Sequence, residues 1–249
     1  MIEIKSDAEI ALVGEASRIV RDILQGMKEV ARPGIATKEL DKKAGQMIKA
    51  ANARPAFKGY RGFPGNICTS INEQVVHGIP GDRRLIEGDI LSVDVGVEKN
   101  GFYGDAAITI EIGNSVLESA KKLIRVTEES LRVGIEKAIK GNRLFDISYA
   151  IQKYVEDQGF SIVRDFVGHG IGKKMHEDPE IPNFGKPGTG PRLKKGMVLA
   201  IEPMVNEGRC EIDILADKWT AVTRDKKLSA HFEHTVAVTD AGPMVLTGA

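Results

Sequence analysis

Residues 90–105 read ILSVDVGVEKNGFYGD, two β-rich runs on either side of Lys99-Asn100-Gly101. An Asn-Gly pair between such runs favours a tight β-hairpin. If the turn has two residues, either 99–100 or 100–101, Asp105 faces Asp94 directly or diagonally on one side of the sheet. A three-residue turn without a bulge would instead put the two side chains on opposite faces. The hairpin therefore predicts a pair of neighbouring carboxylates.

Such a pair needs a partner. Asp94 lies inside an apolar run, where an unpaired carboxylate costs free energy or takes up a proton. Two carboxylates a few ångströms apart also repel each other, and a shared proton or a bound cation relieves the repulsion. At this point the sequence is consistent with either a shared proton or a bound cation.

Three further residues extend the set of candidate ligands. Glu202 follows an apolar run, Glu233 lies in another at 232–238, and His169 stands among small residues at 167–172. Four acids without a buried-looking lysine favour metal over ion pairs. Four carboxylates and one imidazole suit Mn(II), Fe(II) or Co(II) better than a structural zinc site, and Zn(II) and Ni(II) are the other candidates. Five ligands suit two ions about 3.5–4 Å apart.

The candidate acids also recur in a weak internal repeat. Residues 84–94 follow the pattern RLxxGxxLxxD, and residues 192–202 follow RLxxGxxLxxE, so that Asp94 corresponds to Glu202. His-Gly-Ile occurs upstream in each half, at 77–79 and at 169–171. These correspondences predict a duplication with halves at about 8–112 and 119–239.

Each half is predicted to begin with helices and continue with strands. Helical periodicity covers 8–30, 37–51, 119–140 and 144–158, and β-rich runs cover 89–97, 102–112, 197–205, 219–223 and 232–239. Helices then strands, twice, predict an α+β fold in which two antiparallel sheet halves join and helices cover one face. With no Ser- or Pro-rich linker, we expect one domain over 1–249.

Composition restricts the partners and the compartment. Thirty-five basic and thirty-five acidic residues leave no net charge, so bulk charge favours neither nucleic acid nor an anionic membrane. The sequence has no apolar run near the roughly 20 residues that a membrane span requires. Two cysteines, Cys68 and Cys210, are typical of free thiols in a reducing compartment. We therefore expect a cytoplasmic protein.

The chain resembles the type I methionine aminopeptidases, metallopeptidases of the pita-bread fold, over essentially its whole length. The resemblance rests on motifs in family order at residues 72–80, 94–96, 104–105, 168–172, 176–177, 201–203 and 232–235. It implies that Asp94 binds one metal ion, that Asp105 and Glu233 bridge two ions, and that His169 and Glu202 complete the other.

Further roles come from the same resemblance. It implies removal of the N-terminal methionine from a peptide or nascent chain whose second residue is small. Glu202 is expected to act as general base, His176 to stabilise the developing oxyanion and His77 to contact the scissile amide nitrogen. The pocket for the methionine side chain is expected to include Tyr60, Phe63, Cys68, Met175 and Trp219, together with His77 and His176. A monomer and a transient encounter with the ribosome are also implied.

Other interpretations explain fewer residues. Cys68 and His77 could form a cysteine-hydrolase pair, but the four acids would then have no role. The Gly168-x-Gly170-x-Gly172 run lacks the helix that a phosphate-binding loop requires. A proline-specific peptidase of the same fold usually has a large extra N-terminal domain, for which His77 comes too early. A non-enzymatic relative would be expected to have lost ligands.

Two more histidines flank Glu233 on its strand. His231 lies two residues before it, on the same face, and His234 lies one residue after it, on the opposite face. We expect His231 to line the site and His234 to be structural.

Overall fold

The computed structural model describes residues 1–248. The α-helices in this part of the chain are α1 Asp7–Val30, α2 Thr37–Ala50, α3 Glu118–Ile135 and α4 Leu144–Asp157. Its β-strands are β1 Arg54–Pro55, β2 Cys68–Ile71, β3 Gln74–Val76, β4 Ile90–Lys99, β5 Phe102–Glu111, β6 Ser161–Ile162, β7 Val167–Gly170, β8 Glu177–Pro182, β9 Val198–Ile201, β10 Met204–Asn206, β11 Ile212–Ile214, β12 Ala221–Thr223, β13 Ser229–His231, β14 Glu233–Thr239 and β15 Gly242–Val245. Within residues 1–248, no helix combines the length and the apolar character needed to cross a membrane.

Helix α1 begins with a capping box and packs on the β4–β5 hairpin. The Ser6 hydroxyl accepts from the Glu9 amide at 3.3 Å, and the Glu9 carboxylate accepts from the Ser6 amide at 3.0 Å. Gly104 of β5 allows the close approach, because a Cβ there would lie 2.6 Å from the Ser17 backbone nitrogen. The helix thus lies directly behind the strand that carries Asp105.

Three of the four predicted helices match the structure within two residues at each end, whereas α3 is shorter than predicted. It ends at Ile135 instead of 140. The amides of Lys137 and Ala138 bond to carbonyls only three residues back, both at 2.9 Å, so the chain tightens into turns. Ala138 is fully buried, which continues the apolar periodicity beyond the end of the helix.

The strands form one nine-stranded antiparallel sheet and two small ones. The large sheet has the order β1-β4-β5-β14-β9-β7-β8, with β2 paired to β4 and β15 paired to β14. Strands β5 and β14 pair at its centre and join the two halves of the chain. The smaller sheets are β13-β10-β6 and β11-β12-β3. The predicted α+β class with an antiparallel sheet is confirmed.

The hairpin has the Asn100-Gly101 turn. Both residues have positive φ, 54° and 80°, as a type I′ turn requires. In the resulting register Asp94 faces Ala107 and Asp105 faces Gly96. Asp94 and Asp105 are therefore diagonal neighbours on one face, which confirms the prediction for a two-residue turn.

The predicted strand at 197–205 is divided in two. It consists of β9 and β10, with Glu202 and Pro203 between them. Proline has no amide hydrogen to donate to the ladder, so pairing stops there. As a result, Glu202 is the first residue after β9.

The repeated RLxxG segments make equivalent contacts in the two halves. Arg84 donates to the Gly34 carbonyl at 2.5 Å, and Arg192 donates to the Gly141 carbonyl at 3.0 Å. Both glycines follow the first helix of their half and have positive φ, 91° and 98°. The duplication, and the division of a single domain at about 8–112 and 119–239, stay predictions.

Candidate metal centre

Neighbouring strands of the large sheet each contribute one candidate ligand. In sheet order, β4 carries Asp94, β5 carries Asp105, β14 carries Glu233, Glu202 directly follows β9, and β7 carries His169. Five strands that are adjacent in space but dispersed in sequence thereby bring together all five predicted ligands.

The register aligns the acids across the sheet. Ala107 of β5 faces both Asp94 on β4 and Glu233 on β14. These two acids therefore lie in one row, and Asp105 lies two residues along β5 from that row, on the same face. Asp105, His169 and Glu233 each offer a ligand atom, and these atoms all lie within 4.8 Å of one another.

Burial disfavours charge on every acid of the site. It raises the pKa of Asp94 from 3.8 to about 7. It also raises the pKa values of Asp105, Glu202 and Glu233 well above their ordinary range, and the neighbouring carboxylates raise them further. Four acids that resist ionisation together would be stabilised in their charged form by a cation.

Three of these acids each have one buried oxygen without a hydrogen-bond partner. Asp94 Oδ1, Asp105 Oδ1 and Glu233 Oε1 are buried and accept no hydrogen bond. Within residues 1–248 no lysine or arginine forms an ion pair with the four acids; the ion-pair contacts of Glu202 are to histidines. Buried acceptors without donors, beside an imidazole and without a thiolate ligand, fit a divalent metal ion.

His169 is suited to ligation. Its Nε2 lies 3.6 Å from Glu202 Oε1, and its Nδ1 lies 2.9 Å from the Gly170 carbonyl oxygen. Burial and the nearby His176 lower the pKa of His169 to about 3, so the ring is neutral at physiological pH. A neutral imidazole whose Nδ1–H donates to a carbonyl leaves the Nε2 lone pair free for a metal.

Two more histidines, His176 and His77, line a cavity together with these acids. The His176 and His169 ring centroids are 4.3 Å apart, and His176 Nδ1 lies 3.0 Å from the Tyr60 hydroxyl. His77 has a positive φ of 59°, a conformation that non-glycine residues seldom adopt. Burial and, secondarily, His176 lower the pKa of His77 to about 4. Both rings thus line the cavity together with the acids, and the lowered pKa keeps His77 neutral.

The cavity has a volume of about 160 Å³ and is apolar at one end and acidic at the other. Twelve of the predicted site residues line it: Tyr60, Phe63, Cys68, His77, Asp94, Asp105, His169, Met175, His176, Trp219, Glu202 and Glu233. Phe63 stacks edge-on to Trp219 with ring centroids 5.2 Å apart.

Two lining residues, Phe57 and Arg61, were not predicted. A Cβ on Gly96 would lie 2.6 Å from Phe57 Cε1, so the ring occupies the space left by this glycine. Gly96, two residues after Asp94 on the same strand face, is a signal from which an aromatic neighbour could have been predicted. Arg61 stacks over the Tyr60 ring at 5.4 Å and gives no comparable signal in the sequence.

The structure disfavours Cys68 as a nucleophile. Cys68 faces Asp94 in the sheet register. Burial, reinforced by the surrounding carboxylates, raises the pKa of its thiol well above 9.0. A reactive cysteine requires the opposite shift.

The histidines that flank Glu233 lie on different strands. His231 ends β13 of a small sheet, whereas His234 lies on β14 of the large sheet. His231 is buried, with its Nε2 4.0 Å from Glu202 Oε2 and with neither ring nitrogen hydrogen-bonded. His231 is therefore near the acids, although it does not line the cavity itself. His234 Nδ1 lies 2.8 Å from the Thr247 hydroxyl.

The sequence that forms this site is similar to sequences of known metallopeptidases. The sequence model of metallopeptidase family M24 matches residues 11–240. The chain belongs to this family. This M24 protein is 56% identical to the methionine aminopeptidase of Clostridium acetobutylicum and 54% identical to methionine aminopeptidase 1 of Bacillus subtilis, and each alignment covers 99% of both chains. The resemblance to methionine aminopeptidases is thereby confirmed, as is the prediction of a metallopeptidase.

Two solved structures have the same fold. The crystal structure of methionine aminopeptidase from Thermotoga maritima superposes with a TM-score of 0.98 at 46% identity and covers all of both chains. Prolidase from Pyrococcus furiosus has a TM-score of 0.80 at 24% identity; the match covers 99% of this chain and 65% of the prolidase. The similarity to the prolidase is evidence for the fold only. The predicted pita-bread fold is confirmed.

Proposed function

We propose that this M24 protein removes the N-terminal methionine from peptides and nascent proteins whose second residue is small. The observation that carries the proposal is the single cavity in which four acids and three histidines meet a mostly apolar pocket. The high identity to proteins named methionine aminopeptidase supports the same substrate. We propose that the protein acts as a monomer and in the cytoplasm.

The proposed centre holds two divalent ions, with Co(II), Mn(II) or Fe(II) the preferred candidates. Asp94 would bind one ion, Asp105 and Glu233 would bridge both, and His169 with Glu202 would complete the other. The unpaired buried oxygens of Asp94, Asp105 and Glu233 support this ligand set, as does the proximity of the ligand atoms of Asp105, His169 and Glu233. Such ions supply an activated water and polarise the scissile carbonyl.

The chain's own residues would move the protons. Glu202 would act as the general base, since its carboxylate lies among the proposed ligands, with Oε1 3.6 Å from His169 Nε2. It would accept a proton from the attacking water and return it to the leaving amine. His77 would contact the amide nitrogen of the scissile bond.

His176 would stabilise the oxyanion that develops on the carbonyl oxygen. The Tyr60 hydroxyl, 3.0 Å from Nδ1, can donate to that nitrogen, which leaves the ring proton on Nε2. Nε2–H is then a donor held in position before the reaction begins. Donors that are positioned in advance favour the transition state because they need no reorganisation.

The apolar end of the cavity would bind the methionine side chain. Its walls are Tyr60, Phe63, Cys68, Met175 and Trp219, and Phe57 completes the wall. A narrow slot with aromatic and sulfur-containing walls suits an unbranched, polarizable thioether. The requirement for a small second residue is supported by the resemblance to methionine aminopeptidases. A bulky second residue would clash with the wall of the site.

The proposal is tested by removing the metal with a chelator and restoring it. We expect the stripped protein to release no methionine from Met-Ala-Ser and to recover activity on addition of Mn(II) or Co(II), with two ions bound per chain. Undiminished activity in a preparation shown to be metal-free would contradict the proposal. Full activity with a single ion would contradict the dinuclear part of it.

Matched variants separate the ligand roles. Asp105→Ala should abolish activity and uncouple the two ions, because Asp105 is proposed to bridge them. Asp94→Ala should weaken the binding of one ion and leave the other. If the Asp105→Ala protein bound metal and turned over like the parent, the bridging assignment would be wrong.

A further inference from the structure

The first nine residues are tied by three ion pairs to a loop at the edge of the cavity. We call residues 172–178, which lead from β7 into the first two residues of β8, the site loop. The Met1 amine pairs with Asp178, and Lys173 pairs with Glu9. Both of these pairs are solvent-exposed, whereas the third pair, between Lys5 and Glu177, is buried.

The burial of this third pair is nearly complete. The Lys5 and Glu177 side chains are 4% and 5% exposed, compared with 62% and 30% for Lys173 and Glu9. An exposed pair contributes little to stability, whereas breaking a buried pair leaves an uncompensated charge away from water. Of the three, the buried pair is the one that can fix the position of the loop.

The site loop is wrapped closely around the Lys5 side chain. A Cβ on Gly172 would lie 2.4 Å from Lys5 Cε. Glu177 uses its second oxygen to accept from the Lys174 amide at 3.0 Å, which closes the loop. The backbone of Lys5 is fixed as well, because its amide donates to the Gly196 carbonyl at 2.8 Å.

The closed loop presents two residues to the cavity. Met175 is buried against the apolar pocket, and His176 lies directly before Glu177. The His176 ring lies between Tyr60 and His169, with centroid separations of 5.3 Å and 4.3 Å. Lys5 lies behind the loop and is not among the residues that line the cavity.

We propose that Lys5 is a positioning residue for His176, acting through its buried ion pair with Glu177. This inference rests on the proposed function, in which His176 stabilises the oxyanion. The pair holds the Glu177 carboxylate, the carboxylate holds the loop closed, and the closed loop fixes the adjacent His176. Four of the proposed metal ligands lie on sheet strands and Glu202 directly follows one, so none of them lies in the site loop.

Replacing Lys5 by Met tests this chain of contacts. The Glu177 carboxylate would be left buried without a counter-charge, and it would take up a proton or turn towards water. Either change loosens the loop. Because a displacement of about 1 Å can cost roughly 10²-fold in rate, we expect kcat for Met-Ala-Ser to fall by about 10- to 100-fold with metal content unchanged.

Lys173→Met is the matched control. It makes the same substitution in the site loop itself and breaks an exposed pair with the same N-terminal segment. We expect its kcat to stay within about twofold of the parent, because exposed pairs contribute little. Lys5→Arg, which keeps the charge, should restore part of the activity.

A double variant shows whether Lys5 acts through His176. In the His176→Ala background, Lys5→Met should cause little further loss of kcat, because the residue it positions is already missing. A purely structural effect would lower kcat by the same factor in both backgrounds. If Lys5→Met does not fold, Lys5→Gln, which also removes the charge, is measured in the same way.

The outcomes distinguish this inference from the proposed function. If the metal-loaded parent does not cleave Met-Ala-Ser, the proposed function is wrong. If the parent is active and the folded Lys5 variant keeps the parent's kcat, or loses the same factor in both backgrounds, the role of Lys5 is wrong.

Discussion

At the scale of single residues, Asp94 couples the stability of the protein to pH. Burial raises its pKa from 3.8 to about 7, so the native state holds the proton more tightly than the unfolded chain. The contribution of Asp94 to the free energy of unfolding of the metal-free protein therefore falls as the pH rises between these two values. Burial lowers the pKa values of the histidines, which has the opposite effect on stability. This effect is common to the parent and to any variant with the same histidines.

The variant Asp94→Asn isolates this effect. As the pH rises from about 4 to 7, we expect the free energy of unfolding of the metal-free parent, measured in urea, to decrease relative to that of Asp94→Asn. Addition of Mn(II) should restore the parent at neutral pH, because a bound cation favours the charged carboxylate. Equal pH dependence in the two proteins would show that Asp94 is not held in its protonated form.

His176 is the residue on which the proposed oxyanion stabilisation depends. We expect His176→Ala to lower kcat by roughly 10²–10³-fold, the usual effect of removing one positioned donor, with metal content unchanged. Metal analysis alongside single-turnover kinetics checks both parts. Loss of metal from the variant would make His176 a ligand and refute its assignment.

Much of the candidate site could be predicted from the residues. Asp94 inside an apolar run and the Asn-Gly turn together indicated a carboxylate pair, because the period of a strand fixes which side chains share a face. Arg61 could not be predicted, because its position depends on stacking over a ring and on a backbone with φ of 48°. Phe57 was missed although Gly96 signalled the space it fills.

At the scale of elements, the packing of helix α1 on the hairpin depends on Gly104. A Cβ at this position would lie 2.6 Å from the Ser17 nitrogen and 2.9 Å from the Ala16 carbonyl carbon, both in the backbone of α1. Backbone atoms inside a helix cannot move aside separately. The helix or the strand must therefore shift, and with it the strand position next to Asp105.

We expect Gly104→Ala to destabilise the protein by about 1–3 kcal/mol or more, the range for overpacked sites. Gly81→Ala is the control, because a Cβ there has its nearest neighbour at 3.9 Å. Thermal unfolding of the two variants and the parent provides the measurement. A Gly104→Ala protein as stable as the Gly81→Ala protein would show that the helix can move without cost.

The limits of prediction at this scale are also physical. Helix α3 was predicted too long because Ala138 stays buried after the helical hydrogen bonds have ended, and periodicity reports burial, not hydrogen bonding. The hairpin register was predictable because the turn is local. The pairing of β5 with β14 joins distant segments, and no local pattern in the sequence specifies it.

At the scale of the whole molecule, the sheet order brings the site together. Strands β4, β5, β14, β9 and β7 are neighbours in space, and each carries or precedes a candidate ligand. The motif resemblance indicated this fold, and the superposition on the Thermotoga maritima enzyme confirms it. Composition and periodicity alone predicted the α+β class but not the strand order.

The central claim is that this cavity selects an N-terminal methionine that is followed by a small residue. The most direct test compares kcat/KM for Met-Ala-Ser, Leu-Ala-Ser, Ala-Ala-Ser and Met-Lys-Ser with the Mn(II)- or Co(II)-reconstituted protein. We expect efficient cleavage of Met-Ala-Ser and scarcely any of Met-Lys-Ser. Leu-Ala-Ser should be cleaved poorly but measurably, because shape discrimination in an apolar pocket is limited to about 1–3 kcal/mol per methylene. Equal rates for the four peptides would identify a general aminopeptidase and contradict the claim.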